Sequence, residues 1–216
     1  MPVTPDPSMT EQQRMVAGYT YLSLDPELVA ARARAQRLCR EFNAVEPEDF
    51  TERTRILGEL FGNVGDGCWI EPPLRCDYGS NITVGEGTFI NLDLVALDTA
   101  PITIGSKVAI GPRVTLSAAS HPIDPVQRMD ELLECALPIT IGDYVWIGAN
   151  VVICPGVTIG PRTVIGAGSV VTQDIPADVV AGGVPCRVIR DITPADRDRY
   201  LDRNGPSSGR DFSLPE

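Results

Sequence analysis

The side chain best suited to acid–base chemistry in this 216-residue sequence is its single histidine, His121. A neutral imidazole titrates close to physiological pH, so it can take the proton of an attacking alcohol. A lone histidine can equally be a core residue with satisfied hydrogen bonds or a surface residue without a role. The elements that surround His121 must decide between these interpretations.

The six cysteines do not follow a disulfide or metal-binding pattern. No two are spaced as CxxC, and a single histidine excludes a Cys/His zinc cluster. A chain of this length buries roughly 70% of its unfolded surface, so its core needs neither disulfides nor a structural metal. We expect small buried apolar cysteines in a reducing compartment, and no metal requirement.

Acidic residues dominate the charge, since 29 Asp and Glu against 18 Lys and Arg give a formal net charge of −11. This balance argues against nucleic-acid binding, which draws on clustered Lys and Arg. No apolar stretch approaches the roughly 18 residues of a membrane span, and the N-terminus lacks the apolar segment of a signal peptide. We therefore expect a cytoplasmic protein in which a local basic patch would bind any anionic ligand.

A six-residue period runs through the second half of the sequence. Aliphatic residues recur without a break at 141, 147, 153, 159, 165 and 171, and with the same six-residue spacing at 104, 110 and 116. This period fits neither a helix nor a hairpin; it predicts a short strand and turn repeated around a solenoid, with the recurring side chain inside. Glycine follows four of the first six, where we expect a tight turn to demand its backbone angles and close approach.

The period is interrupted between Leu116 and Ile141, which are separated by four repeats plus one residue. Residues 117–138 must therefore leave the coil as an excursion loop, and His121 lies on it. Loops carried by a rigid scaffold are common places for binding and catalysis, which favours a functional role for this histidine.

The segments on either side of the solenoid differ from it. Residues 9–62 predict a helical cap, with one helix starting at Asp25-Pro26-Glu27 and a second starting near Pro47 and ending at Gly62. We expect residues 1–8 to be flexible and residues 63–191 to form the solenoid. In the tail, 192–216, we expect a capping helix in TPADRDRYL and disorder after it.

A family resemblance is carried by ITIGDYVWIGANVVICPGVTIGPRTVIGAGSVVTQDIP and the following VVAGGVPCRVIR. These segments resemble the hexapeptide-repeat acyltransferases, and among them the galactoside, maltose and nodulation-factor O-acetyltransferases. The likeness continues upstream through EFN, WIEPP, YGSNITVG and SAASHP and covers roughly residues 17–192. It implies a β-class fold, a left-handed parallel β-helix with a small N-terminal α-helical cap. It also implies a homotrimer with active sites between subunits.

The same resemblance implies an acetyl-CoA-dependent O-acetyltransferase in which His121 is the general base. The backbone N–H of Ala149 would hold the oxyanion, at a position where relatives often carry Ser. Trp146 would lie along the pantetheine arm, although it can also simply cover a solenoid face. The other residues at coenzyme-A-binding positions are Ala167, Thr172, Arg187 and Arg190, with Lys107, Arg113 and Arg162 as further cationic candidates in turns.

The resemblance defines the acceptor site less specifically than the coenzyme site. Asn91 matches an acceptor-binding asparagine, Asp77 stands where galactoside enzymes carry Ser, and Glu134 stands where they carry Met. Such carboxylates and amides suit sugar hydroxyls. However, the acid of the maltose type is replaced by Leu22 or Ser23, and the loop is apolar at 132–133 and 135–137. Acetylation of a secondary metabolite or xenobiotic, N-acetylation of an amine, and a non-catalytic structural β-helix therefore remain as alternatives.

Overall fold

The computed structural model describes residues 6–197, and its N-terminal part is a helical cap. The cap contains α1 (Glu11–Val16), β1 (Tyr21–Leu22), α2 (Pro26–Asn43) and α3 (Phe50–Leu60). The predicted start of α2 is confirmed, because the Asp25 carboxylate accepts the Glu27 N–H at 2.9 Å and Pro26 follows as the first helical residue. The predicted start of α3 near Pro47 is wrong: Asp49 caps the Glu52 N–H at 3.0 Å, and the helix begins after it.

Short parallel strands form the body of the molecule and stack coil upon coil into a β-solenoid. The first sheet contains β2 (Asn63–Val64), β5 (Ile82–Val84), β8 (Ile102–Ile104), β13 (Ile139–Ile141) and β16 (Thr158–Ile159). The second contains β4 (Leu74–Cys76), β7 (Leu94–Leu97), β10 (Thr115–Ser117), β15 (Val152–Ile153) and β18 (Val170–Val171). The third contains β3 (Trp69–Ile70), β6 (Phe89–Ile90), β9 (Ala109–Ile110), β14 (Trp146–Ile147), β17 (Val164–Ile165) and β19 (Val179–Gly182), with β20 (Arg187–Asp191) antiparallel on β19.

The recurring aliphatic residues form the core, as the six-residue period predicts. Ile147 pairs in register with Ile165 of the next coil, and Ile153 pairs in the same way with Val171. Each of these side chains is at most 1% exposed. Three strand-and-turn units therefore complete one coil, and the solenoid interior is a stack of equivalent apolar side chains.

Three of the four glycines of the repeat, Gly142, Gly148 and Gly160, allow close approach between coils, and none of the four has a positive φ. A Cβ on Gly142 would lie 2.7 Å from the Pro161 backbone nitrogen of the next coil, a clash that only backbone movement could relieve. The left-handed conformation falls two residues later, on Tyr144, and the equivalent Lys107 and Arg162 adopt it as well, with φ between 56° and 58°. The expectation of close approach is thus confirmed, and the expectation of special angles at these glycines is wrong.

The excursion folds back onto the cap. It contains β11 (Ala119–Ser120), α4 (Pro125–Met129) and β12 (Leu133–Ala136). Strand β12 pairs antiparallel with both β11 and β1, with Ser120 opposite Cys135 and Tyr21 opposite Glu134. A small sheet of one cap strand and two excursion strands therefore holds the segment that leads into His121.

The remaining expectations concern the ends and the surface. Pro194–Asp196 form a 3-10 turn, while residues 1–5 of the predicted flexible start and residues 198–216 of the tail lie outside the described residues. Along residues 6–197, none of the helices has the length and apolarity that crossing a bilayer requires. The same residues contain no group of three or more His, Cys, Asp or Glu side chains placed to hold a metal ion.

Candidate active site

A groove of about 430 Å³ runs along the outer face of the third sheet. Trp146 stands in its wall between two small in-register neighbours, Ala109 on β9 and Val164 on β17. These neighbours leave the indole 55% exposed, an unusual state for a tryptophan in the middle of a sheet. Of the residues assigned from the sequence, the structure brings four to this groove: Asn91, Trp146, Ala149 and Ala167.

Two residues that line the groove have backbone N–H groups without a protein partner. Ala149 and Ala167 occupy equivalent positions one coil apart, and neither N–H donates a hydrogen bond to any group in the described part of the chain. The N–H groups of Gly148 and Asn150, on either side of Ala149, donate to carbonyl oxygens at 2.8 and 2.9 Å. Backbone donors are normally satisfied, so these two are available to a ligand with an acceptor oxygen.

The assigned cations lie beyond the groove. Arg190 sits opposite Val180 on β19 at the end of the third sheet. Val180 in turn pairs with Val164, the in-register neighbour of Trp146. The Arg190 guanidinium pairs with the Asp196 carboxylate at 2.7 Å, while the exposed Arg187 donates to its neighbour's carbonyl oxygen. Neither arginine lines the groove, and Thr172, exposed after the second-sheet strand β18, does not line it either.

The turn cations are mostly engaged with carboxylates. Arg162 makes a two-point contact with Asp178 at 2.6 Å, and Arg113 lies 3.7 Å from Asp93. Lys107 lines a separate cavity of about 720 Å³ on the same sheet, nearer the cap. Exposed pairs of this kind contribute little to stability, but they reduce the positive charge that these arginines offer to an anion.

His121 directly follows β11, and its side chain is exposed. The turn after it is fixed by Arg128, whose guanidinium donates to the Pro122 and Ile123 carbonyl oxygens at 2.9 and 3.0 Å. Asp124 then caps α4 by accepting two backbone N–H groups. His121 is thus carried on a well-braced segment, but it is not among the residues lining the groove on its own chain.

Asp77 and Glu134 belong to a polar cluster at the junction of cap, solenoid and excursion. Buried Tyr21 donates its hydroxyl hydrogen to Glu134 Oε2 at 2.8 Å. Arg32 donates to the Tyr78 hydroxyl at 2.6 Å, and a second guanidinium nitrogen donates to the Ser23 carbonyl oxygen at 2.6 Å. The cluster places two carboxylates, one guanidinium and two phenols beside the excursion.

Burial dominates the electrostatics of this cluster. It raises the pKa of Asp77, an effect that nearby Arg32 opposes and Glu134 reinforces. Burial also raises the pKa of Tyr21 and of Tyr78, and Glu134 adds to both shifts. Both phenols therefore remain protonated hydrogen-bond donors at neutral pH.

Asp98 fixes the turn that carries Asp77. Its fully buried carboxylate accepts the N–H groups of Asp77 at 3.0 Å, Tyr78 at 2.8 Å and Asn81 at 3.3 Å. Burial raises the pKa of Asp98 to about 6, and the backbone hydrogen bonds oppose part of that rise. Sequence reasoning missed Tyr21, Arg32, Tyr78 and Asp98, because their partners are far away in the sequence and no spacing connects them.

Sequence profiles match both parts of the fold. Residues 14–65 match the maltose acetyltransferase hexapeptide capping motif. Residues 138–173 match the bacterial transferase hexapeptide family, described as six repeats.

Individual proteins match along nearly the whole chain. Galactoside O-acetyltransferase of Escherichia coli (strain K12) is 45% identical over 194 residues, which cover 90% of this chain and 95% of that protein. A galactoside acetyltransferase structure in complex with coenzyme A is similar with a TM-score of 0.86 and 43% identity, covering 93% of this chain and all of that one. A hexapeptide-repeat acetyltransferase from Vibrio cholerae O1 biovar eltor, complexed with acetyl coenzyme A, has a TM-score of 0.80 and 43% identity, covering 86% and 100%.

Proposed function

Because the chain belongs to the hexapeptide-repeat acetyltransferases of the galactoside and maltose O-acetyltransferase type, we propose that it moves the acetyl group of acetyl-CoA to a hydroxyl of a sugar or related small molecule. The observation that carries this proposal is the groove beside Trp146, with the two unpartnered N–H groups of Ala149 and Ala167. Relatives above 40% identity have been solved with coenzyme A or acetyl coenzyme A bound.

The groove has the chemistry that a long, anionic thioester requires. The exposed indole of Trp146 offers an apolar surface to the pantetheine arm, and the small neighbours on either side leave room for it. The N–H of Ala149 supports the oxyanion that forms at the thioester carbonyl, and Ala167 supplies a second donor one coil away. At the far end of the sheet, Arg187 and Arg190 suit the phosphates, and Thr172 is assigned to the coenzyme by resemblance alone.

His121 is proposed as the general base. Its imidazole accepts the proton of the acceptor hydroxyl while the hydroxyl oxygen attacks the thioester carbonyl carbon. The carbon–sulfur bond then breaks, and the thiol of coenzyme A leaves. Asp77, Asn91 and Glu134 would bind the acceptor, with Tyr21 holding Glu134 Oε2 so that Oε1 can accept from an acceptor hydroxyl.

The position of His121 outside the groove of its own chain supports a shared active site. We propose that the protein is a homotrimer in which His121 of one subunit faces the groove of the next. Co-expression of His121→Ala with Trp146→Ala subunits tests this arrangement when activity is measured well below the KM for acetyl-CoA, where the Trp146→Ala protein is also impaired. About a quarter of the sites in random hybrids would combine an intact histidine with an intact groove. Hybrids no more active than the two single variants would contradict sharing.

Turnover with a panel of acceptors tests the reaction itself. Release of coenzyme A thiol would be measured with maltose, a thiogalactoside, glucosamine and an apolar alcohol, and the product isolated. An acetyl group that alkaline hydroxylamine removes is an ester, whereas a resistant one is an amide. Ester formation on a glycoside supports the proposal. Acetyl-CoA binding without turnover on any acceptor would overturn it.

A second candidate acceptor is an apolar alcohol, as in secondary metabolism. The excursion beside His121 exposes Ile123 by 93%, Met129 by 64% and Val126 by 50%. Exposed apolar groups next to a reactive side chain suit an apolar substituent on the acceptor. Turnover confined to the apolar alcohol would favour this candidate over a sugar.

A further inference from the structure

Two cysteine sulfurs meet between the cap and the solenoid. Cys39 on α2 and Cys76 on β4 lie with their Sγ atoms 3.6 Å apart, close enough for one thiol to hydrogen-bond the other. The two residues are 37 positions apart in the sequence, and both are free thiols. Simple apolar filling, which the sequence favoured for all six cysteines, does not account for two sulfurs in direct contact.

The pair has access to small reagents. Cys39 and Cys76 retain 6% and 8% exposure and line a surface cavity of about 630 Å³. Arg40, Arg75 and Asp77 line the same cavity, which opens to the protein surface. A small neutral oxidant can therefore reach the sulfurs without unfolding the cap.

The two thiols also differ in character. The hydrogen bond between the two sulfurs lowers the pKa of Cys39, while the same interaction and burial raise the pKa of Cys76. A thiolate reacts with peroxides far faster than a thiol does. The pair thus consists of one nucleophilic sulfur and one resolving sulfur in contact with it.

We propose that Cys39 and Cys76 form a modification site that a peroxide converts into a disulfide between the cap and the solenoid. The Cys39 thiolate attacks one peroxide oxygen and breaks the O–O bond, which gives a sulfenic acid and, after protonation, one water or alcohol. The Cys76 sulfur then attacks the sulfenic sulfur, the S–S bond forms, and a second water leaves. Two thiols are oxidised by two electrons, and the peroxide is reduced by two.

The other cysteines lack this arrangement. Cys68 donates its S–H to the Gly85 carbonyl oxygen at 3.1 Å. Burial raises the pKa of Cys68 and of Cys186, which disfavours the reactive thiolate. Among residues 6–197, which include all six cysteines, no second pair of sulfurs is hydrogen-bonded.

The disulfide would act next to the acceptor cluster. Cys76 directly precedes Asp77, whose N–H is held by Asp98, so drawing the sulfurs together pulls on the strand end that positions Asp77. This consequence rests on the proposed function, because it assumes that Asp77 contacts the acceptor. We expect the oxidised protein to have an altered KM for the acceptor and an unchanged KM for acetyl-CoA.

Peptide mapping tests the modification without reference to activity. The reduced full-length protein would be treated with hydrogen peroxide, blocked with N-ethylmaleimide and digested with trypsin without reductant. The expected product joins peptide 38–40 to peptide 76–107. It should form equally in Cys154→Ser, which keeps the pair, and be lost in Cys39→Ser and Cys76→Ser. Monomer mobility on a non-reducing denaturing gel would place the bond within one chain.

Two results would overturn the proposal. Recovery of both peptides singly alkylated or singly oxidised, with no joined product, would show that the pair does not form a disulfide. A joined product with identical acceptor KM before and after oxidation would remove the link to Asp77. Oxidised Cys76→Ser serves as the reference for nonspecific peroxide damage in the kinetic comparison. Because the map is read by mass, absence of any acetyltransferase activity would count against the proposed function alone.

Discussion

The solenoid and the junction between cap and excursion bring their residues together in opposite ways. In the solenoid each core residue pairs in register with its equivalent one coil away, as Ile147 pairs with Ile165. In the junction Tyr21 bonds to Glu134, 113 positions later, and Arg32 bonds to Tyr78, 46 positions later. The repeat builds a frame of equivalent coils, and the polar side chains gather where the repeat is absent or broken.

This difference assigns stability to the solenoid, and substrate binding and catalysis to the junction and the groove. A repeated coil is held by apolar stacking and close backbone contact, so substitutions there should act on unfolding. The junction and the groove carry half-buried polar groups and an exposed indole, which stacking does not need. Substitutions in those regions should act on acceptor or coenzyme kinetics while the solenoid stays intact.

The largest effect on stability is expected at a repeat glycine. In Gly142→Ala the new Cβ would collide with the Pro161 backbone of the next coil, and we expect a loss of about 1–3 kcal/mol in the free energy of unfolding. Gly58→Ala in α3 is the matched control, because its Cβ meets no atom within 4 Å and should stabilise the helix by about 0.5–1 kcal/mol. Urea unfolding measures both. An equal change in the free energy of unfolding of the two variants would contradict the difference expected between repeat and cap.

The next effect is expected at the junction. Tyr21→Phe keeps the buried ring but removes the hydrogen bond to Glu134, so the acceptor KM should rise roughly ten-fold or more. The KM for acetyl-CoA and the melting temperature should change little. Tyr19→Phe, outside the strand, is the control. A loss of stability with unchanged acceptor KM would make Tyr21 a structural residue and remove Glu134 from acceptor binding.

A comparable effect is expected in the groove. Trp146→Ala removes the exposed indole, and the KM for acetyl-CoA should rise roughly ten-fold while the acceptor KM is retained. Tyr144→Ala, which removes an exposed aromatic ring from the adjacent turn, should leave both constants unchanged. Steady-state kinetics with each substrate varied separates the two constants. An unchanged KM for acetyl-CoA in Trp146→Ala would mean that the indole only covers the sheet.

The smallest effect concerns pH. The pKa of Asp98 is raised to about 6 in the fold, so the folded state binds more protons than the unfolded state around pH 5. Stability from this group is therefore present at low pH and is lost as pH rises through 6. We expect the free energy of unfolding to fall by about 1 kcal/mol more in the wild type than in Asp98→Asn between pH 5 and 7.5. Exposed Asp66→Asn controls for the lost charge, and parallel pH profiles would contradict the assignment.

The sequence predicted the periodic part of the molecule well, because each coil is specified locally. The spacing of Ile141 and its equivalents fixes both the strand positions and the side that faces inward. The break after Leu116 likewise located the excursion. The role of the glycines was misjudged in part, since the clash that Gly142 avoids is with Pro161 on the next coil, which only the stacked structure reveals.

The sequence predicted some residues of the candidate site correctly and missed others, because only some of them are placed by the local repeat. Trp146, Ala149 and Ala167 lie within two adjacent coils, and the structure places them together in the groove. Thr172 and Arg187 do not join them, because they lie on another sheet and on the final hairpin. The cap residues that surround Asp77 and Glu134 depend on long-range packing and have no local signature.

The most direct test of the account is the turnover number of His121→Ala beside the wild type, with acetyl-CoA binding measured on the same preparations by calorimetry. Loss of a general base should lower kcat by about 10²–10⁴ and leave acetyl-CoA affinity largely unchanged, because the base acts on the acceptor hydroxyl while the groove residues proposed to hold the coenzyme stay intact. A kcat within a few-fold of the wild-type value would show that the excursion does not carry the chemistry.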